Sequence, residues 1–268
     1  MNRLRLAGET ASSPSAAVRS GSRVCLSIAL LALLFLVASG RAAESSAGTP
    51  PAWPRYELEI EAAWQLNQPD RRPFDASGLL LRPDGDIFTV SNLASELYRI
   101  EFLKGTNAAN LTVVPGIFTP EQLRSLRSEQ RGGWDCEGLA QDEQGRIYAC
   151  EESNRWIVRC DPRTGSFERL KIDWSPVRKY FSPLDANASF EGVAVGGGKL
   201  YVANERMLGR IIVVDLETLR VESDFLVSPA GVSGKDVHYS DLCWSDGSLF
   251  ALLRDSRCVL QIEPQTRR

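Results

Sequence analysis

The chain has little with which to do the commonest chemistries. It holds a single histidine, His238, in 268 residues. It has no His and Cys cluster at zinc-ligand spacing. No G-x-S-x-G elbow, Walker A loop or G-x-G-x-x-G turn occurs. The usual signs of a serine hydrolase, a P-loop nucleotide site and a dinucleotide fold are therefore missing. An excess of positive charge is lacking too. Lys and Arg number 31 against 34 Asp and Glu. Five of the arginines fall in residues 1–43 with one glutamate, so the remainder stands at about −7. That balance argues against a nucleic-acid partner, which needs a basic face.

Long apolar runs are absent with one exception. Residues 24–39 carry no charge. Arg3, Arg5, Arg19 and Arg23 precede them, and Ala38-Ser39-Gly40 and Ala42-Ala43 close the stretch. A basic start, an apolar centre and a small-residue end are the parts of a secretory signal. The run is short for a spanning helix, which needs about 20 residues. Residues 1–43 are read as a cleaved signal or an uncleaved membrane anchor. In the cleaved case the mature chain begins between Arg41 and Ser45. Either case places the rest in the periplasm, the cell envelope or the medium, with membrane contact only through this segment. Residues 44–55 are small, polar and Pro-rich and read as a linker. Residues 56–268 are left as one domain. Of six cysteines, Cys25 lies in the targeting segment. The other five form an odd set in a compartment that permits disulfides, so at least one is free. Burial as small apolar residues is the plainer role for most of them.

What the remainder does have is a repeat. Asp135-Cys136-Glu137-Gly138-Leu139-Ala140 returns as Phe190-Glu191-Gly192-Val193-Ala194. Looser copies are Asp75-Ala76-Ser77-Gly78-Leu79 and Tyr239-Ser240-Asp241-Leu242-Cys243. The anchors Ser77, Glu137, Glu191 and Asp241 stand 60, 54 and 50 residues apart. Each copy leads through a turn into an aromatic-containing apolar run (87–90, 147–150, 200–203, 249–252) and then a third run. Arg82-Pro83-Asp84-Gly85 and its counterparts supply turn residues at the same place each time. Fourth strands are expected at 111–117, 166–172 and 221–227. Short strands at this period predict an all-β chain, a β-propeller with four antiparallel blades. Thr119-Pro120-Glu121-Gln122 predicts a short helical insertion near 120–128, with a capping box and a proline at its first turn. A second insertion, 174–189, contains Pro176 and Pro183 and has no strand pattern. Blade four lacks an outer strand after residue 262. The strand expected at 56–66 is free to fill that place and close the ring.

Inner strands of a propeller line a channel, so equivalent residues form rings. One ring is Ser77, Glu137, Glu191 and Asp241. A second, after the aromatic run, is Asn92, Glu152, Glu205 and Arg254. Converging carboxylates repel one another unless a cation or base neutralises them. Calcium, which takes six to eight oxygen ligands, suits such a set. Glu137, Glu191 and Asp241 are the candidate metal ligands. Asn92, Asp135, Glu152, Glu205 and Arg254 are the candidate ligand-binding residues around them. The competing structural role is that each acid caps backbone N–H groups within its own blade. No catalytic residue can be assigned. His238 is more simply structural. Arg131, Arg206, Lys235 and Arg254 would serve phosphate chemistry, though a surface role is the default for each.

The run Asp135-Cys136-Glu137-Gly138-Leu139-Ala140, with Tyr148-Ala149-Cys150-Glu151-Glu152 after it, resembles the SdiA-regulated family. So do Phe190 to Ala194 with Tyr201-Val202-Ala203-Asn204-Glu205-Arg206, and Tyr239 to Leu242 with Leu253-Arg254-Asp255-Ser256-Arg257. That family is similar to the phytase-like esterase domain and, more distantly, to gluconolactonase-type propellers. The resemblance covers about residues 56–263. It implies an exported propeller, often described as calcium-binding, with a loosely defined biochemical role. Ser77 stands where an acid is expected in the first copy, and a final repeat expected after Glu263 is missing.

Three functions follow from these readings. The first is an exported, monomeric propeller that binds a divalent cation or small molecule at the channel mouth. The second is a metal-assisted hydrolase of a phosphate ester, carboxylic ester or lactone. The third is a protein-interaction scaffold.

Overall fold

The computed structural model describes residues 59–68, 74–130, 133–182, 185, 188–206, 209–229 and 231–267. The targeting segment, the linker, residues 56–58, Arg131, Pro183 and Asn187 lie outside the described residues. One unit covers Met1–Ala62, and a second, Ala63–Arg268, holds the described strands and helices.

That second unit is a four-bladed propeller. Blade one is β2 (Ala76–Leu81), β3 (Ile87–Ser91), β4 (Ala94–Phe102) and β5 (Ala108–Val113). Blade two is β6 (Cys136–Gln141), β7 (Ile147–Glu151), β8 (Trp156–Cys160) and β9 (Phe167–Arg169). Blade three is β10 (Phe190–Gly196), β11 (Lys199–Asn204), β12 (Arg210–Asp215) and β13 (Arg220–Phe225). Blade four has three strands, β14 (Asp241–Ser245), β15 (Ser248–Leu253) and β16 (Cys258–Ile262). Within each blade neighbours pair antiparallel. The aromatic runs become second strands. In blades two and three they are buried on both faces because blades stack on either side, which explains why they read as continuous apolar runs rather than as alternations.

The helical insertion forms as the sequence predicts, over α1 (Pro120–Ser125). Gln122 N–H donates to Thr119 Oγ1 at 3.2 Å, and Thr119 N–H donates to Gln122 Oε1 at 2.9 Å. The second insertion makes a short 3₁₀ turn, Ser175–Tyr180, whose Val177 and Tyr180 are buried. All five described cysteines are free thiols, and Cys136, Cys150 and Cys160 are buried.

The expected closure by residues 56–66 does not occur. The described strand here is β1 (Gln65–Asn67), and it pairs in parallel with β5, not with β16. Only eight residues separate it from β2, and the edge of β5 is the open edge they reach. Trp64 meets Phe102 edge-on at 4.8 Å, and Asn67 Nδ2 donates to Asn110 Oδ1.

Three apolar clusters hold the propeller together. One joins blade one to blade two through Phe88, Val90, Leu139 and Ala149. The second joins blade two to blade three through Tyr148, Val193 and Val202. The third joins blade three to blade four through Ala194, Ile211, Leu249 and Ala251. Among the described residues no such cluster joins blade four to blade one. The faces bordering that seam keep apolar residues in solvent: Leu79 and Leu81 on β2, Leu252 at 41% exposure and Val259 at 46% on blade four.

Glycines set the spacing of the inner strands. A Cβ on Gly78 would lie 3.0 Å from Gly138 Cα, one on Gly138 2.9 Å from Gly192 Cα, and one on Gly192 2.6 Å from Asp241 Cα. Each blade's backbone thus touches the next at this level. Beyond these glycines along the strands, Leu79, Leu139, Val193 and Trp244, with Gln141 and Asp142, line a cavity of about 200 Å³.

Candidate metal centre

The acids gather where the inner strands begin. In blades two and three the first strand carries a bulge: Cys136 pairs with Glu151 and Gly138 with Cys150, while Phe190 pairs with Asn204 and Gly192 with Ala203. Glu137 and Glu191 are the extra residues. A bulge takes its residue out of the ladder and re-aims its side chain. Acidic residue, then glycine, is therefore a bulge followed by a close approach.

The second ring is fixed by one recurrent bond. Asn92 N–H donates to the Asp75 carbonyl at 3.3 Å, Glu152 N–H to Asp135 at 2.8 Å, and Glu205 N–H to Ser189 at 2.8 Å. Ser189 Oγ also donates to the Glu152 carbonyl at 2.9 Å. These bonds bring the starts of the first strands to the ends of the second.

Two triads result. Ligand oxygens of Asp135, Glu137 and Glu152 lie within 4.8 Å of one another, and so do those of Glu152, Glu191 and Glu205. Glu152 belongs to both. It is 5% exposed, and its Oε1 has no hydrogen-bond partner. Burial raises the Glu137 carboxyl to about 9, helped by a hydrogen bond with Asp135 and the charges of Glu191, Asp135 and Glu152. Burial and the charges of Glu191, Asp135 and Glu205 raise Glu152 to about 8, against the pull of Arg206. Glu191 rises to about 7 through burial and Glu205, with Arg254, Arg206 and a hydrogen bond with Glu152 opposing. The site thus favours proton or cation uptake.

Two arginines meet the second triad. Arg206 is ion-paired with Glu205 and lies 3.3 Å from Asp185 Oδ2. Arg254 lies 3.5 Å from Glu205 Oε1. The triad of Asp135, Glu137 and Glu152 has no ion pair to Arg, Lys or His among the described residues.

The ring is lopsided, and the expected residues divide accordingly. Asp135, Glu137, Glu152, Glu191 and Glu205 come together, with Arg254 at the edge. Asn92 stays in blade one, where its Nδ2 donates to Asp75 Oδ2 at 3.4 Å. Asp241 lies outside both triads. Blade four has no bulge, so Asp241 pairs with Leu252 as Gly192 pairs with Ala203. It stands at the register of Gly192, one residue on from the Glu191 position. Burial, opposed by the Leu242 N–H, raises its carboxyl to about 8, and Glu191 adds to the rise.

Asp241 does accept a backbone N–H of its own blade, from Leu242 at 2.8 Å; in blades one and two the capping role belongs to other residues. Glu151 accepts from the N–H groups of Asn154 at 2.8 Å and Asp135 at 3.3 Å. Ser91, its counterpart, accepts from Asp75 N–H at 3.2 Å and Leu93 N–H at 3.1 Å. Three residue types fill this one position, Ser91, Glu151 and Asn204, so no repeat marks it in the sequence. His238 Nδ1 pairs with Asp255 Oδ2 at 2.6 Å at the rim. Lys235 lines a separate groove with Gly209 and Leu226.

Residues 119–261 match the model of the phytase-like family, described as esterase-like activity of phytase. The chain belongs to the phytase-like family. No curated protein matches it. Among solved structures, this phytase-like chain is similar to glutaminyl cyclase from Myxococcus xanthus. The two are 15% identical with a TM-score of 0.46, over 72% of this chain and 67% of that one. It is also similar to virginiamycin B lyase from Staphylococcus aureus, at 12% identity and a TM-score of 0.40, over 69% and 54%. A third likeness is to AztD from Citrobacter koseri, at 11% and 0.38, over 72% and 45%. The phytase-like chain spans between under half and about two thirds of these proteins' lengths, and none of the three likenesses informs its chemistry.

Proposed function

We propose that this phytase-like propeller is an exported protein of the SdiA-regulated type that binds a divalent cation, calcium first, at its acidic mouth. One observation carries the reading: the buried Glu152 carboxylate, with an oxygen that no protein group satisfies, sits amid four further acids. A buried carboxylate without a partner is costly unless a cation or proton meets it. The donors are all oxygens. That suits calcium or magnesium and disfavours zinc, which prefers nitrogen and sulfur. Asp135, Glu137 and Glu152 would hold the ion, since no basic side chain is paired with that triad among the described residues. The basic and apolar N-terminal stretch supports export, and sequencing the N-terminus of exported material checks it. Elemental analysis of protein purified without chelator tests the metal. Calcium retained through gel filtration supports the reading, and metal-free protein that takes up no added calcium rejects it.

A second reading has its own support. Arg206 and Arg254 stand beside the acids, where an anionic oxygen could lie against both arginine and cation. A cation polarises a carbonyl or phosphoryl oxygen toward attack. The family description points to ester chemistry. Chromogenic carboxylic and phosphate esters, tried with and without calcium, decide between enzyme and binding protein.

A further inference from the structure

We propose that the acidic mouth holds two cations, with Glu152 as their shared ligand. This rests on the cation reading above and goes beyond it in number, order and means of control. The two triads do not merge into one group at the same spacing; they meet only at Glu152. Asp135 and Glu137 reach it from the start of blade two's first strand, while Glu191 and Glu205 reach it from blade three. A single ion in either triad leaves two acids of the other without it. The free Oε1 of a 95% buried side chain is the independent sign that Glu152 faces a ligand rather than a protein donor. Paired metals in proteins stand about 3.5–4 Å apart, a separation that one carboxylate bridges.

The triads are not equal. Glu205 already pairs with Arg206 and Arg254, whose charges oppose an incoming cation. In the triad of Asp135, Glu137 and Glu152 no acid is ion-paired among the described residues, and of the three it is Glu152, the shared ligand, that feels the charges of Arg206 and Arg155. That triad fills first and tightly. The triad with Glu191 and Glu205 fills second and weakly, as the arginines give up part of their hold on Glu205. The arginines therefore set the calcium concentration at which the second site fills.

Calorimetric titration of the metal-free exported protein with calcium chloride tests this. Two ions of unequal affinity are expected. Glu137→Gln should weaken the tight step and Glu191→Gln the weak one, each by about tenfold or more as ligand charge falls. Glu152→Gln should weaken both. Arg254→Gln should strengthen the weak step alone. If Glu152→Gln does not fold, the Glu191→Gln and Arg254→Gln titrations still decide. A single ion whose binding ignores both of those changes overturns the two-cation site and leaves the cation reading standing. No calcium binding by the parent overturns both.

Discussion

At the scale of single residues, the acids carry a pH signature. Glu137, Glu152, Glu191 and Asp241 sit at about 9, 8, 7 and 8 in the folded chain, above the ordinary values of 4.5 for Glu and 3.8 for Asp. Between about pH 4.5 and 9 the folded state therefore holds protons that the unfolded chain has released. Stability falls with rising pH wherever the native state binds more protons. In chelator, the melting temperature should decline from pH 5 to pH 9. On the proposed cation reading calcium would replace those protons, so saturating calcium should flatten the decline, with affinity rising with pH. A chelated protein that gains stability over this window contradicts the assignment. Legibility at this scale was uneven. Glu137 and Glu191 were readable because acid-then-glycine repeats. Asp241 stands outside both triads because its strand is one residue out of register with its counterparts, and letters alone do not show which strand bulges. Glu151 was missed because Ser91 and Asn204 fill its position with other chemistry.

At the scale of elements, the glycines after the acids are the points where strands touch. Gly192→Ala would drive a Cβ to 2.6 Å from Asp241 Cα, so backbone must move. Overpacking of this kind costs about 1–3 kcal/mol or more. Gly133 is a fair control, since a Cβ there meets nothing within 4 Å. Denaturant unfolding of both variants checks the contrast, and equal stabilities would mean the inner strands are not in contact. The strand β1 makes a separate case. Deleting residues 56–67 should expose the edge of β5 and speed amide exchange there, with exchange at β16 unchanged. Faster exchange at β16 would restore the closure that the pairing with β5 rules out. The sequence showed that a spare strand exists and that blade four lacks one. It did not show that the nearer edge takes it.

At the scale of the whole molecule, the propeller is a run of four blades joined by three apolar seams. The repeat made this architecture legible, because each blade is one supersecondary unit that buries its faces only against neighbours. The lopsidedness of the site follows from the same repeat read position by position. Blades two and three supply acids at both rings, while blade one supplies Ser77 and Asn92, and blade four supplies Ser240 and Arg254. A ligand centred on the axis would need all four blades. The acids instead meet at the seam between the second and third. On the proposed reading, calcium bound there would tie two blades together, and this is where its effect on the fold should appear.

The central claim is that Glu152 anchors a cation at this seam. Thermal unfolding of the parent and of Glu152→Gln, each in chelator and in millimolar calcium at pH 7.5, addresses it most directly. The parent should gain stability with calcium, by about 2.7 kcal/mol at a hundredfold excess over Kd. Glu152→Gln should lose most of that gain. A parent whose melt is the same with and without calcium, or a Glu152→Gln protein that gains as much as the parent, would contradict the claim.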